Sequence, residues 1–449
     1  FIEKYTRGFE EFKAYLDTQT MEQLSKWCGI SVTDIEKLTD IFCSTAKIPL
    51  VAYTGLEYQL SAIQNNRAIF VLWAITGKLD APGAIYLNAK GLETPKLFEI
   101  PEDDKPIGVD EFPLFYKFSG LGQFSRFPKA VLEDDPYPVR GLMILGGSPA
   151  LSFPDSKSWR EAYKKLDCLI VLDRYYTEDA RYADVVFPVC SLFEVPKAVS
   201  GPEGPHIVEP LITPVGESKN DVLIMGAIAE KLGFGEKLPQ TEEELREWLL
   251  SGTAPYAGDF GGGSGKKQER HYKKYETGEL RADGKPGFPT PSGKLEICST
   301  ILEENGFVPY PEYKDIRSIP ELAGEEYTFT MTSGARSNNR MGVFGANLDG
   351  ITAIEPYPLV DICAEDAKEI GIEDGDMVKV TTPFANGTFK AKIRGIARHA
   401  IHIPHGGGSA YMSEPWKHGN VNDLCSLDYA DPMTGFVLIK SMPCKVEKE

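Results

Sequence analysis

No run of about eighteen apolar residues occurs in the 449-residue chain, so no segment has the length that a membrane-spanning helix needs. Positive charge is in deficit: 48 Lys and Arg stand against 66 Asp and Glu, a formal charge of −18. That sign excludes a general nucleic-acid binder, which neutralises phosphates with a basic surface. Any polyanion bound here must be held locally, by backbone N–H groups and a few placed cations. Eight cysteines are present (Cys28, Cys43, Cys168, Cys190, Cys298, Cys363, Cys425 and Cys444), but no two stand in C-x-x-C spacing. A zinc ribbon or a ferredoxin-type cluster within this chain is therefore excluded. Cys28, Cys43, Cys168 and Cys298 have apolar neighbours and are expected to be buried thiols. The common catalytic signatures are missing too: there is no G-x-S-x-G, P-loop, H-E-x-x-H or Rossmann G-x-G-x-x-G. The chain opens at Phe1 with neither an initiator Met nor a signal-like apolar stretch. An upstream part, with any targeting signal on it, is expected.

What is present is ample apolar material, 42% of residues, and an excess of turn formers, with Gly 43 and Pro 32. The length suggests roughly three domains, or one large and one small. Thr20-Met-Glu-Gln23, Ser31-Val-Thr-Asp34 and Thr241-Glu-Glu-Glu244 read as capping boxes that open helices. Residues 48–53 have the composition of a buried strand. A helical pattern follows from about 60 to 76, with Arg67, Ala68, Val71, Leu72 and Ile75 spaced for one buried face. The alternation sharpens later. A strand over 141–145 runs into Gly146-Gly147-Ser148-Pro149, a helix covers 156–166, and strands follow at 168–172 and 183–188. Such alternation predicts a parallel sheet with ligand loops at the carboxyl ends of its strands. Another helix is expected over 220–232. Residues 251–289 turn polar and Gly-rich, with a basic run at Lys266, Lys267, Arg270, Lys273 and Lys274, and read as a solvated loop or a lid. From about 326 the texture becomes β-rich, with Asn386-Gly387 as a hairpin signal, so residues 326–449 read as a separate, mostly β domain.

Candidate chemistry sits in the turns. In a Gly-Gly-Ser-Pro loop after a strand, glycine leaves N–H groups open for close approach to a phosphate; alone, the motif is equally a plain turn. Asp173 ends a strand four residues before Thr177. Its carboxylate can accept two hydrogen bonds from adjacent N–H donors, the pattern along guanine's N1/N2 edge, or it can simply cap the turn. The histidines do not assemble a metal site: in a strand His399 and His402 face opposite sides, and His402 and His405 alternate again. His405, before Gly406-Gly407-Gly408, is placed to approach a ligand. His206, His271 and His418 fall in expected loops.

Taken in order, several of these segments resemble the molybdopterin oxidoreductases of the dimethyl-sulfoxide reductase family. Tyr53-Thr-Gly-Leu-Glu-Tyr with Arg67-Ala and Leu72-Trp-Ala-Ile-Thr-Gly77 is similar to the family's glycine turn and "L-x-A-L-T-G-N" helix. Leu145-Gly-Gly-Ser-Pro149 resembles its "G-x-N-P" loop. Leu172-Asp-Arg-Tyr-Tyr-Thr-Glu178 through Ala183-Asp-Val-Val-Phe-Pro188 is similar to "D-x-x-x-T-E-T…A-D-V-V-L-P". Thr290-Pro-Ser-Gly-Lys-Leu-Glu296 resembles "T-P-S-G-K-x-E". Thr332-Ser-Gly-Ala-Arg336, Glu365-Asp-Ala367 with Gly371-Ile-Glu-Asp-Gly-Asp376, and Asn422-Asp-Leu with Asp431-Pro-Met-Thr-Gly435 resemble the family's carboxyl-terminal dinucleotide-binding barrel.

The resemblance implies an α/β fold, with parallel-sheet α/β domains followed by a six-stranded, double-psi-type β-barrel. It divides the chain into a tail of an upstream α/β domain (1–20), an α/β domain binding one guanine dinucleotide (21–235), a loop-rich connection (236–325) and the barrel (326–449). It implies molybdenum or tungsten on two molybdopterin guanine dinucleotides, with a [4Fe-4S] cluster and the metal-ligating residue in an amino-terminal part outside this chain. Asp173 and Thr177 would take a guanine end, with Gly146, Gly147, Ser148 and Pro149 against the nucleotide. Gly55 would belong to the first glycine turn. Gly334 and Arg336 would lie at the barrel mouth, where Arg336 brings positive charge to a pyrophosphate, and Asn422, His405 and Lys440 would close over the pterins. Two-electron oxygen-atom or hydride transfer on a small-molecule substrate is the implied activity, in an anaerobe, with an iron–sulfur electron-transfer subunit as a possible partner. Two alternatives from the same fold are a non-redox hydratase or transhydroxylase and a cofactor-free structural subunit of a respiratory complex. Retention of the Asp173–Thr177 pair argues against the scaffold. Ser337-Asn-Asn-Arg340 replaces the aromatic or His residues that often follow the arginine in this family, and Ala198-Val-Ser-Gly-Pro stands where formate dehydrogenases and nitrate reductases carry a "T-N-T-E-G-R" run, which argues against those two activities.

Overall fold

The computed structural model of the chain describes residues 1–87, 105–201, 204–251, 270–334 and 348–449. The chain packs as two compact units, residues 1–94 with 268–315 and residues 95–267 with 316–449. This grouping differs from the four-part division expected above, because residues 268–315 return to the amino-terminal segment.

The first unit is mainly helical. Thr20 caps the helix Met21–Cys28 by accepting the N–H of Gln23 at 3.1 Å, and Ser31 caps Val32–Ser44 through Asp34 at 3.1 Å, as two of the boxes require. The expected long helix runs Ala62–Ile75, but its buried stripe is rotated from the one read in sequence. Gln64, Val71 and Ala74 are buried, whereas Ala68 and Leu72 face out. Arg67 turns inward, donating to the carbonyls of Glu296 at 3.3 Å and Ile297 at 2.7 Å, and burial lowers its pKa to about 10. The strand expected over 48–53 is not formed: Val51 is 94% and Tyr53 84% exposed. Pro49 has no N–H for a ladder, and among the described residues no strand runs beside this segment, so apolar composition has nothing to pair with. Thr6–Arg7 and Leu295–Glu296 form a two-residue parallel pair. Asp80 and Lys274, both fully buried, form an ion pair at 2.5 Å; Asp80 also accepts the Lys274 N–H at 2.7 Å.

The second unit holds the parallel sheet and the barrel. Strands Gly141–Leu145, Cys168–Asp173 and Val185–Pro188 lie side by side, all parallel, with Leu145 beside Leu172 and Asp173 beside Pro188. Helix Ser156–Lys165 packs on the sheet through Trp159, Ala162 and Tyr163, and Trp159 stacks on Phe127 at 5.6 Å. The helix Asp221–Lys231 starts at an Asn220 cap, and Thr241 with Glu244 completes the third capping box, at the head of Glu242–Leu250.

Six strands close into the expected barrel, in the order Met377–Thr381, Asn386–Ile393, Leu359–Ile362, Ala400–Pro404, Phe329–Gly334 and Met442–Lys448. Val378, Val380, Phe389, Ala391, Ile401 and Ile403 are buried at alternate positions, which is the period-two pattern of a filled barrel. Two pairings are parallel: Phe329–Gly334 with Ala400–Pro404, and Leu359–Ile362 with Asn386–Ile393. The hairpin signal is displaced. Asn386 and Gly387 pair within the ladder with Thr381 and Val380, while the turn is made at 382–385, closed by Thr382 N–H to the Ala385 carbonyl at 2.9 Å.

The thiols also depart from expectation. Cys298 is buried, but Cys28, Cys43 and Cys168 are exposed, because each sits on an outer helix face or at a strand start. Among the described residues no helix is long and apolar enough to cross a membrane.

Candidate functional site at the sheet edge and the barrel mouth

Parallel strands deliver their loops to one edge, and here two of those loops are neighbours. Gly146 follows the first strand and donates its N–H to the Leu172 carbonyl of the second at 2.9 Å. Gly146 is left-handed, at φ +58°, and a Cβ there or at Gly147 would meet no close protein atom, so the turn has open space around it. Ser148 caps and Pro149 begins the short helix Pro149–Ser152.

One carboxylate anchors this loop. Asp179 is fully buried and accepts the Ala150 N–H at 3.0 Å, the Tyr163 hydroxyl at 2.7 Å and the Ser148 hydroxyl. Burial pushes its carboxyl above the ordinary range, against the pull of the Ser148, Tyr163 and Ala150 donors. The second loop runs from Asp173 to Thr177. Asp173 is half-buried and accepts the Tyr175 N–H at 3.1 Å. Burial raises it, opposed by the N–H groups of Tyr175 and Arg174. Thr177 is buried, its hydroxyl oxygen accepting the Ala180 N–H at 3.2 Å.

The barrel contributes a second cluster at one end. Gly334 and Pro404 finish the parallel strands in register, which puts Gly334 beside His405. Lys440 precedes the antiparallel strand Met442–Lys448 and arrives at the same end. Gly334 is at φ +111°, and a Cβ there would collide with Lys440 Nζ and lie 3.8 Å from His405 Nε2. Lys440 is half-buried without a carboxylate partner among the described residues, and burial lowers its pKa. Its titratable neighbour Cys425 offers no anion, since burial pushes that thiol up to about 12.

Asn422 joins the sheet edge to the barrel. Fully buried, it donates from Nδ2 to the Leu151 carbonyl at 2.7 Å, and its own carbonyl accepts the Asp155 N–H at 3.1 Å. Its side-chain oxygen Oδ1 is buried with no hydrogen-bond partner.

The structure thus brings Gly146, Gly147, Ser148, Pro149, Asp173 and Thr177 to one sheet edge, and Gly334, His405 and Lys440 to one barrel end. Gly55 lies exposed in the first unit, within the 3-10 turn Thr54–Leu56. Arg336 lies outside the described residues.

Two family sequence models match the chain: "Molybdopterin oxidoreductase" over residues 61–231 and "Molydopterin dinucleotide binding domain" over residues 331–443. The chain belongs to the molybdopterin oxidoreductase family. Among its curated relatives, the probable oxidoreductase YoaE of Bacillus subtilis is 28% identical, over 85% of this chain and 54% of its own length. The F420-dependent formate dehydrogenase subunit alpha of Methanocaldococcus jannaschii is 26% identical, over 88% and 58%. Acetylene hydratase of Syntrophotalea acetylenica is 25% identical, over 90% and 60%. The chain therefore spans between half and two thirds of the length of these relatives. A solved acetylene hydratase from Pelobacter acetylenicus has the same fold, with a TM-score of 0.81 at 21% identity, over all of this chain and 67% of that one.

Several features of this molybdopterin oxidoreductase chain fit a dinucleotide cofactor. Among the described residues, an amide oxygen is buried without a donor at Asn422, a lysine with no carboxylate partner stands over Gly334, and a glycine turn with open space around it lies beside a half-buried carboxylate. Reading the sequence missed the groups that hold these in place. Asp179 is visible only as the residue two after Thr177. His402 was set aside because of strand alternation, yet its Nδ1 is 3.2 Å from Asp361 and its Nε2 3.2 Å from the Gly334 carbonyl, so it supports the glycine from below. Among the described residues no group of three His, Cys, Asp or Glu side chains is placed to hold a metal ion.

Proposed function

We propose that the chain is the carboxyl-terminal part of the catalytic subunit of a molybdenum- or tungsten-dependent oxidoreductase that carries two molybdopterin guanine dinucleotides. The observation that carries this reading is the pairing of Lys440 over Gly334 with a buried Asn422 oxygen, both without a partner among the described residues, on a barrel beside two sheet-edge loops. Bound there, the cofactor would supply two-electron metal redox chemistry on a small-molecule substrate by oxygen-atom or hydride transfer.

Each residue has a separable task in this reading. Asp173 accepts the adjacent N–H donors of guanine, and Thr177 borders the same base. The N–H groups of Gly147 and Ser148 face phosphate oxygens, which an overall charge of −18 would otherwise repel. Lys440 brings the local positive charge to the barrel mouth, and Asn422 Oδ1 accepts a donor from the pterin side. His405 stands beside Lys440 and narrows the same opening. A [4Fe-4S] cluster and the metal ligand belong, in this reading, to a part of the subunit outside this chain, with an iron–sulfur protein as electron partner.

A second reading is a hydration without net redox change. It is favoured by a curated relative named acetylene hydratase that aligns over 90% of this chain. The test of the first reading is metal and nucleotide content of the protein isolated from its native host. Molybdenum or tungsten with two guanine nucleotides per metal is expected; neither metal nor pterin in full-length material would overturn it. Turnover coupled to an artificial electron acceptor separates the redox reading from the hydratase.

A further inference from the structure

A buried carboxylate next to Thr177 reaches across to the barrel. Glu178 is 1% exposed; its Oε1 lies 2.8 Å from Arg181 Nη1 and 3.3 Å from Arg160 Nε, and its Oε2 accepts the N–H of Ala410 at 3.0 Å. Arg160 reaches the same loop independently, donating from Nη2 to the Gly408 carbonyl at 3.0 Å. The loop that these two hold begins at His405 and has a single seat. A Cβ at Gly407 would lie 2.8 Å from the Gly419 carbonyl oxygen, and one at Gly408 would lie 2.9 Å from Cβ of Asn420. Gly408 also donates to the Trp416 carbonyl at 2.8 Å, and Tyr176 meets Tyr411 edge-on at 5.2 Å. Burying a carboxylate with two arginines carries a large desolvation cost, and an apolar seam of the same volume would avoid it. What the charged seam supplies is one geometry, since both Glu178 oxygens are committed.

We propose that Glu178 is a positioning residue: with Arg160 it locks the barrel's glycine loop, and His405 with it, to the Thr177 loop. The sheet-edge and barrel-mouth halves of the cofactor site are thereby held in register. This rests on the site reading given above, and the experiment keeps the two apart.

The experiment uses full-length holoprotein carrying Glu178→Gln, Arg160→Lys, or Leu245→Ala as a control. Leu245 is 1% exposed in the helix Glu242–Leu250, so its truncation destabilises by a cavity away from the seam. Two quantities are read: amide hydrogen exchange at Gly408 and Ala410, and the rate of guanine-nucleotide loss, followed as GMP released by acid hydrolysis of the retained cofactor. For Glu178→Gln both rise by at least about tenfold, the usual scale when a supporting partner of a site residue is removed. Arg160→Lys, which keeps the charge but not the fork that reaches Gly408, raises both by less. The control stays within about twofold, as expected of a distant site. Wild-type exchange and retention in Glu178→Gln, or the same phenotype in Leu245→Ala, would overturn the proposal. Should Glu178→Gln not fold, Arg160→Lys decides by the same criteria. Wild-type holoprotein without guanine nucleotide would instead overturn the site reading, and the exchange data alone would then decide whether Glu178 holds the loop.

Discussion

Asp179 offers two substitutions with opposite expected outcomes. In Asp179→Ala the Ala150 N–H, the Tyr163 hydroxyl and the Ser148 hydroxyl all lose their acceptor in a fully buried site. Ser148 can rotate, whereas the backbone N–H cannot; at about 1–3 kcal/mol per stranded donor, the loss comes to roughly 3–5 kcal/mol. Asp179→Asn differs because Oδ1 alone accepts both Ala150 and Tyr163. An amide keeps that oxygen, and its NH2 can donate to a Ser148 hydroxyl turned to accept, so the expected change is within about 1 kcal/mol. The pH dependence follows from the direction of the shift. Burial holds the folded carboxyl above the ordinary 3.8. Its contribution is fully present below the unfolded value and is lost as pH rises through the folded one. Wild type should therefore lose stability relative to Asp179→Asn between acid and neutral pH. Urea unfolding of all three proteins across that range measures this. An alanine variant within about 1 kcal/mol of wild type at neutral pH, or a wild-type advantage over the asparagine variant that grows with pH, would refute the reasoning.

Three further outcomes are expected. Gly146→Ala should cost only about 1–2 kcal/mol, the strain of a left-handed alanine, because its Cβ meets nothing; calorimetry gives that loss, and a larger fall in nucleotide retention would mark the turn as a contact. Lys274→Met, which strands the buried Asp80, should destabilise the first unit by about 3–5 kcal/mol, equally at low and high salt, as judged by urea midpoints. Burial would raise Asp366, but Cys363, Arg398 and the His399 N–H outweigh it and hold the carboxyl below 3.8. Its stabilisation is present above the unfolded value and lost as pH falls through the folded one, so Asp366→Asn should weaken the protein at neutral pH and matter little in strong acid.

Local rules were legible where they act over a few residues. Thr20, Ser31 and Thr241 announced their helices because a cap needs only a side chain and an N–H three positions on. The parallel strands were readable from the alternation of apolar runs with helical segments, and the β-rich texture of the last domain from its composition, while the barrel itself came from the resemblance. Where partners decide, reading failed. Residues 48–53 have strand composition but no strand beside them among the described residues, and Asn386-Gly387 signals a turn that Thr382 makes earlier. Leu72 is apolar yet faces out, since Arg67 takes the inward position through two carbonyls 229 and 230 residues away. The site shows the same division. Asp173 and Gly146 stood out at strand ends, and Gly334 only through the family resemblance. Asp179 and His402 act through bonds to chain segments that sequence order does not bring near, and Glu178 does so through Arg160 and Ala410.

The return of residues 268–315 to the amino-terminal unit sets an order on synthesis. When residue 94 leaves the ribosome, Thr6 and Arg7 have no strand to pair with, and Asp80 has no lysine. The intervening chain takes roughly ten to thirty seconds to translate at about 5–20 residues per second. For that interval the first helices wait for the partners that residues 268–315 bring, while the sheet of the second unit has all three of its strands once residue 188 is made. A nascent-chain chaperone would be expected to dwell on residues 1–94, and truncation before residue 315 to leave that segment to proteolysis.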